Sequence, residues 1–168
     1  MRTAFVAVAT TTIALLDQLT KAWALDALDG VTISVVDGVV ALRLGFNYGL
    51  AFGILGDVPA AWRSVVALLP LVALLILVRI IRRDVPRGSF GAVSVSLVFG
   101  GAIGNMIDRV RVGAVIDFID IYWRGLHWPA FNIADSAITL GVVLLAVSLT
   151  RAGNGRSKTS SFPARSNA

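Results

Sequence analysis

Cysteine and glutamate are both absent from this 168-residue chain, and histidine occurs once, at His127. Without cysteine there is no disulfide, no thiolate metal site and no cysteine nucleophile. With no His-Glu-x-x-His or other ligand spacing, neither a metal nor a cofactor is expected. Charge is also scarce: 15% of residues are charged and 57% are hydrophobic, with a mean hydropathy of +0.82. That balance lies far from a soluble average and indicates a single-domain integral membrane protein. The formal charge of +5 does not point to nucleic acid, because the basic residues flank apolar runs instead of forming a stripe. Anionic headgroups account for them better. No internal repeat is visible, which leaves an inverted-repeat transporter with little support.

What the chain does have is four apolar runs near bilayer length. They cover about Ala4–Trp23, Ala61–Ile81 (with Pro70 as a kink), Ser89–Ile107 and Ile133–Leu149. The third contains no charge, and its Gly100, Gly101 and Gly104 allow close helix contact. An even number of spans puts both termini on one side. Arg2, the cluster Arg79, Arg82, Arg83 and Arg87, and Arg151, Arg156, Lys158 and Arg165 then share that side, which the positive-inside rule makes the cytoplasm. Arg2, the apolar run to Leu16 and Ala22-Trp23-Ala24 also mimic a cleavable signal peptide. Asp17 and Lys21 interrupt that pattern and suit a retained helix end. Residues 1–152 are expected to form the transmembrane domain, and residues 153–168 a basic, disordered cytoplasmic tail.

The two outer connections look structured. Val31–Val35 alternates, Asp37-Gly38 signals a hairpin turn, and Val39–Leu44 follows as a second strand. Gly49–Gly56 suits a short apolar helix at the membrane surface. Val115–Trp123 is a further extended segment, and Tyr122, Trp123 and Trp128 fit an interfacial aromatic belt. The expected fold is therefore an all-α integral membrane protein with four transmembrane helices, a small extracytoplasmic β-hairpin or sheet and a short interfacial helix.

Ionisable groups in apolar surroundings persist mainly where they are paired and functional. Asp17 and Lys21 lie i,i+4 near the exit of the first span. Asn105, Asp108 and Arg109 share a face as the third exits, and Asn132 and Asp135 lie i,i+3 as the fourth re-enters. Asn47 reaches the same level from the first outer connection. Each has a simpler explanation, as an ion pair at a helix end, a cap or a cross-link between helices. Their convergence at one depth favours a pocket. Asp117 and Asp120 point to opposite faces if Val115–Trp123 is extended, so one of them enters that pocket. His127, beside Trp128, is expected to form an interfacial hydrogen bond. Two carboxylates sharing a proton can carry out acid–base peptide hydrolysis. A small proton- or cation-coupled transporter or channel is the alternative, and a peptidase using Lys21 as base towards Ser136 is a second.

Asp17-Gln-x-Thr-Lys21, Asn47-x-Gly-x-Ala-Phe52, Gly100-Gly-Ala-Ile-Gly-Asn-x-x-Asp-Arg109, Val115-Ile-Asp-Phe-Ile119 and Phe131-Asn-x-Ala-Asp135 occur in this order on those spans. The pattern closely resembles the lipoprotein signal peptidase family, also called signal peptidase II. The resemblance implies an aspartyl endopeptidase of the prokaryotic inner or plasma membrane, with its active site near the extracytoplasmic face. It would cut prolipoproteins just before a cysteine that carries diacylglycerol. Carried over residue by residue, Asp117 and Asp135 become the catalytic pair. Asn105, Arg109 and Asn132 become pocket residues, supported by Asp17, Lys21, Asn47, Gly49 and Asp108. Lipidated prolipoproteins and membrane lipids are the expected partners, nucleic acid is not, and a monomer is expected.

Overall fold

The computed structural model describes residues 2–49, Val72, Ile76, Arg79 and residues 89–157. Its elements are α1 (Arg2–Ala27), β1 (Thr32–Val36), β2 (Val40–Asn47), α2 (Ser89–Val112), β3 (Val115–Trp123), β4 (Leu126–His127) and α3 (Ile133–Ser157). The expected second span and the short apolar helix after Gly49 lie outside the described residues, except that Val72, Ile76 and Arg79 are helical.

Each helix extends past its expected end. α1 has 26 residues, or about 39 Å at 1.5 Å per residue, enough to cross a hydrocarbon core of ~30 Å. Thr12 and Thr20 return their hydroxyls to the carbonyls of Val8 and Leu16 at 2.9 and 3.0 Å. Both hydroxyls are thereby satisfied within the helix. α1 ends before Gly30, at φ 68°, and α2 ends before Gly113, at φ 75°. Gly113, directly after α2, supplies the left-handed step that closes a helix, and Gly30 lies in the Leu28–Val31 turn that follows α1. The Gly113 amide donates to the Arg109 carbonyl at 3.2 Å. α3 runs to Ser157, so residues 153–157 are helical where the sequence suggested the start of a tail. Once a helix is nucleated, each added residue gains a hydrogen bond.

α2 lies between the other two helices because its glycines remove the side chains that would hold them apart. A Cβ on Gly100 would lie 2.6 Å from Ile13 Cβ and 3.0 Å from the Thr10 carbonyl. On Gly101 it would strike the Ala134 carbonyl, and on Gly104 the Asp17 carboxylate. Gly141 of α3 makes the reciprocal approach to Ser94, Leu97 and Val98. The outward faces remain apolar: Leu15, Leu16 and Leu19 on α1, Val93 and Ile103 on α2, and Leu140, Val142 and Val143 on α3 are exposed. Thr3–Ala27 and Ser89–Val112 are long and apolar enough to cross a membrane, and Ile133–Ser148 is a shorter apolar stretch.

The strands form one antiparallel sheet in the order β1-β2-β3-β4. Asp37-Gly38 makes the first turn, with Gly38 at φ 77°; Arg124 and Gly125, at φ 51° and 82°, make the turn into β4. The sequence did not show β4. It is two residues long, too short for alternation to register. Phe118 fixes the sheet to the end of α1, edge-on to Trp23 at 6.4 Å and packed with Ala24 and Leu28. β3 therefore has helices on both sides over its first half, and Val115, Ile116, Asp117 and Phe118 are all buried.

Candidate active site

Lys21 is buried, 1% exposed, between Asp17 at 0% and Asp108 at 1%. An ammonium group has three N–H donors and no acceptor. Here Nζ meets Asp17 Oδ2 at 2.8 Å, Asp108 Oδ2 at 2.6 Å and Asn105 Oδ1 at 2.8 Å. Every donor is used. The two aspartates spread the charge into the backbone: Asp17 Oδ1 accepts the Ala134 amide at 2.9 Å, in the first turn of α3. Asp108 Oδ2 accepts the Ile116 amide of β3 at 3.2 Å. The ionic cluster thus joins α1, α2, α3 and β3 at one level. Gln18 completes it, donating to Asp108 Oδ1 at 2.9 Å and to the Gly104 carbonyl at 3.1 Å. Gln18 was not among the expected site residues, although an amide beside Asp17 in an apolar helix was a usable signal.

Two asparagines carry this order to the carboxylates above. Asn105 Oδ1 accepts from Lys21 and also from Asn132 Nδ2 at 3.2 Å, so its Nδ2 must point the other way. It donates to Asp135 Oδ1 at 2.8 Å. Asn132 caps α3, accepting the Asp135 amide on Oδ1 at 2.9 Å. Its Nδ2 therefore faces β3 and donates to Asp117 Oδ1 at 2.7 Å and to the Ile116 carbonyl at 3.1 Å. Asn47 donates to Asp117 Oδ2 at 3.2 Å and accepts the Gly49 amide at 2.9 Å. Arg109 Nη2 holds the Gly49 carbonyl at 3.1 Å. Asp17, Lys21, Asn47, Gly49, Asn105, Asp108, Arg109, Asp117, Asn132 and Asp135 are therefore brought into one connected network. Among the described residues no three acidic or histidine side chains are grouped as a metal site would need.

Asp120 goes elsewhere. Its buried carboxylate pairs with Arg43 of β2 at 3.2 Å and with His127 Nδ1 at 2.9 Å, and the His127 ring stacks on Tyr122. The two strand aspartates therefore have separate partners, as alternation along an extended chain requires. Burial first, and then the nearby Asp135 carboxylate, push the Asp117 carboxyl up to about 7 from its ordinary 3.8, against hydrogen bonds from Asn47 and Asn132 and the charge of Lys21. Such a group holds its proton more tightly when folded. Its contribution to stability is complete below 3.8 and is lost as pH rises through about 7.

Apolar helices thus surround a buried ionic and amide cluster with two carboxylates at its edge, an arrangement suited to acid–base chemistry in a membrane enzyme. A solved structure described as a bacterial membrane enzyme, determined by the in meso method at 2.3 Å resolution, has a TM-score of 0.72 and 30% identity. It covers 97% of this chain, which covers 94% of it in turn. Lipoprotein signal peptidase of Geobacter metallireducens is 46% identical over 129 residues, 76% of this chain and 78% of that protein. The enzyme of the same name from Pseudomonas aeruginosa is 40% identical over 138 residues, 81% and 82% of the two chains. The model for signal peptidase II matches residues 9–151. The chain belongs to the signal peptidase II family and is a membrane protease.

Replacing Lys21 with Met leaves Asp17 and Asp108 buried without a counter-ion, at an expected cost of about 3–5 kcal/mol. Thermal unfolding in detergent should show a large drop in midpoint. An unchanged midpoint would mean that the ionic cluster does not hold the helices together.

Proposed function

We propose that Asp117 and Asp135 are the catalytic pair with which this protease removes signal peptides from prolipoproteins. It cuts before a lipobox cysteine that carries diacylglycerol. The observation that supports this most is the amide bridge: Asp117 and Asp135 each accept an N–H from one of two asparagines that are bonded to each other. In a low-dielectric pocket two neighbouring carboxylates do not both ionise readily. At neutral pH one proton is then shared by the pair. The ionised carboxylate takes a proton from water as it attacks the scissile carbonyl, and the protonated one donates to the carbonyl oxygen. The amine leaves with a proton returned by the pair. Base and acid are both supplied without a protein nucleophile.

The Ser136–Lys21 alternative fits less well. All three donors of Lys21 are engaged, and the Ser136 hydroxyl donates to the Asn132 carbonyl at 3.0 Å. A relay across the bilayer also fits less well, because the polar groups gather at one end of the helices instead of continuing along them.

The full arrangement we infer has four transmembrane helices, residues 1–152 as the peptidase domain and 153–168 as a basic cytoplasmic tail. Both termini face the cytoplasm, and the site lies at the extracytoplasmic edge of the bacterial plasma membrane. A site at that depth lets the substrate keep its acyl chains among membrane lipids while the scissile bond reaches the carboxylates. One chain carries all the groups this chemistry uses, so a monomer suffices.

Asp117→Asn and Asp135→Asn keep shape while removing a group that exchanges a proton, and each should reduce turnover of a diacylglyceryl prolipoprotein by about a thousandfold or more. The double variant should lose little beyond either single one, and Asp120→Asn far less than either. Full activity in Asp117→Asn would refute the assignment. Topology has its own test: reporter fusions at Gly38 and Trp123 should read as extracytoplasmic, and one at Arg83 as cytoplasmic. A cytoplasmic signal at Trp123 would contradict the four-span arrangement.

A further inference from the structure

The β2–β3 ladder contains an irregularity. Leu42 pairs with Ile119, but the next pair is Gly45 with Asp117, followed by Phe46 with Ile116 and Asn47 with Val115. Three steps along β2 therefore oppose two along β3, which is a bulge with one extra residue at Arg43–Leu44. Directly opposed residues share a face, and so do residues two apart on one strand. Asn47 opposite Val115 thus stands on the face of Asp117, where its amide reaches Oδ2 at 3.2 Å. In an unbulged ladder Leu44 would face Asp117, and Asn47 would pair with Ala114 and project from the opposite face. The extra residue is what aims Asn47.

Arg43, in the bulge, has its side chain held. Its guanidinium pairs with Asp120 at 3.2 Å. Both oxygens of Asp120 also contact His127 Nδ1, at 2.9 and 3.0 Å. Asp120 is 3% exposed, so its charge is costly unless these partners stay in place. The cluster ties β2, β3 and β4 together on the face away from Asp117. None of its members touches the network around Lys21.

We propose that Arg43, Asp120 and His127 are positioning residues that lock the β2 bulge and so keep Asn47 on Asp117. This inference rests on Asp117 being a catalytic group. Arg43, whose side chain is 54% exposed, is the site to vary, because Asp120 then keeps His127 as a partner. Arg43→Gln should lower kcat by about tenfold with KM unchanged, the rate equivalent of weakening one hydrogen bond to a carboxylate. Arg43→Lys should restore most of it. Asn47→Ala should have a similar effect, and Arg43→Gln with Asn47→Ala together should cost no more than Asn47→Ala alone.

A second measurement does not depend on catalysis. The chain has no cysteine, so Phe46→Cys with Ile116→Cys creates a single pair at directly opposed positions, within disulfide reach in the bulged register. Crosslinking should be efficient in the parent and reduced when Arg43→Gln or His127→Gln is added. Multiplicative losses in the double variant, or crosslinking indifferent to Arg43 and His127, would overturn the lock. An active Asp117→Asn would instead refute the catalytic assignment while leaving the crosslinking result standing.

Discussion

A lysine ammonium buried among apolar helices is tolerable only if all three of its protons are bonded, and that requirement organises this molecule. Lys21 meets it with an acceptor on its own helix and two on α2. The acceptors then bind the first amides of α3 and of β3. Chain segments distant in sequence therefore converge because one charge has no alternative partner in lipid. Gly104 makes the approach possible, since any side chain there would occupy the space of the Asp17 carboxylate. The glycine and the ion pair are two parts of one constraint.

The same constraint fixes the proposed catalytic pair by a valence argument. Lys21 and Asn132 occupy the carbonyl oxygen of Asn105, and the α3 backbone occupies that of Asn132. Both amide nitrogens are left to face carboxylates. The amides donate to Asp117 and Asp135 without adding charge, and at Asp117 burial outweighs them, so the carboxyl is raised to about 7.

Much of this was legible in the sequence, for identifiable reasons. The i,i+4 spacing of Asp17 and Lys21, the Gly-rich run ending at Asn105 and the Asn132-x-x-Asp135 cap are local patterns, and helical geometry turns each into a shared face. Period-two alternation separated Asp117 from Asp120, although choosing Asp117 for the pocket took the family resemblance. What alternation could not show was the bulge at Arg43, because an extra residue in one strand leaves no mark in that strand's own pattern. β4 is too short to alternate, so sequence alone suggests only an interfacial bond for His127 and not its contact with Asp120. The role of Gln18 is not legible locally, because its partners Gly104 and Asp108 lie 86 and 90 positions away in the chain.

On the proposed mechanism the pair shares one proton near neutral pH, and burial raises the Asp117 carboxyl to about 7. The most direct test is an infrared difference spectrum of the detergent-solubilised enzyme between pH 6 and pH 8, following the carbonyl band of protonated carboxyl groups. The account predicts a band that disappears as pH rises through about 7 and is absent from the difference spectrum of Asp117→Asn. A band that titrates unchanged in Asp117→Asn, or no titrating band in the wild type, would contradict it.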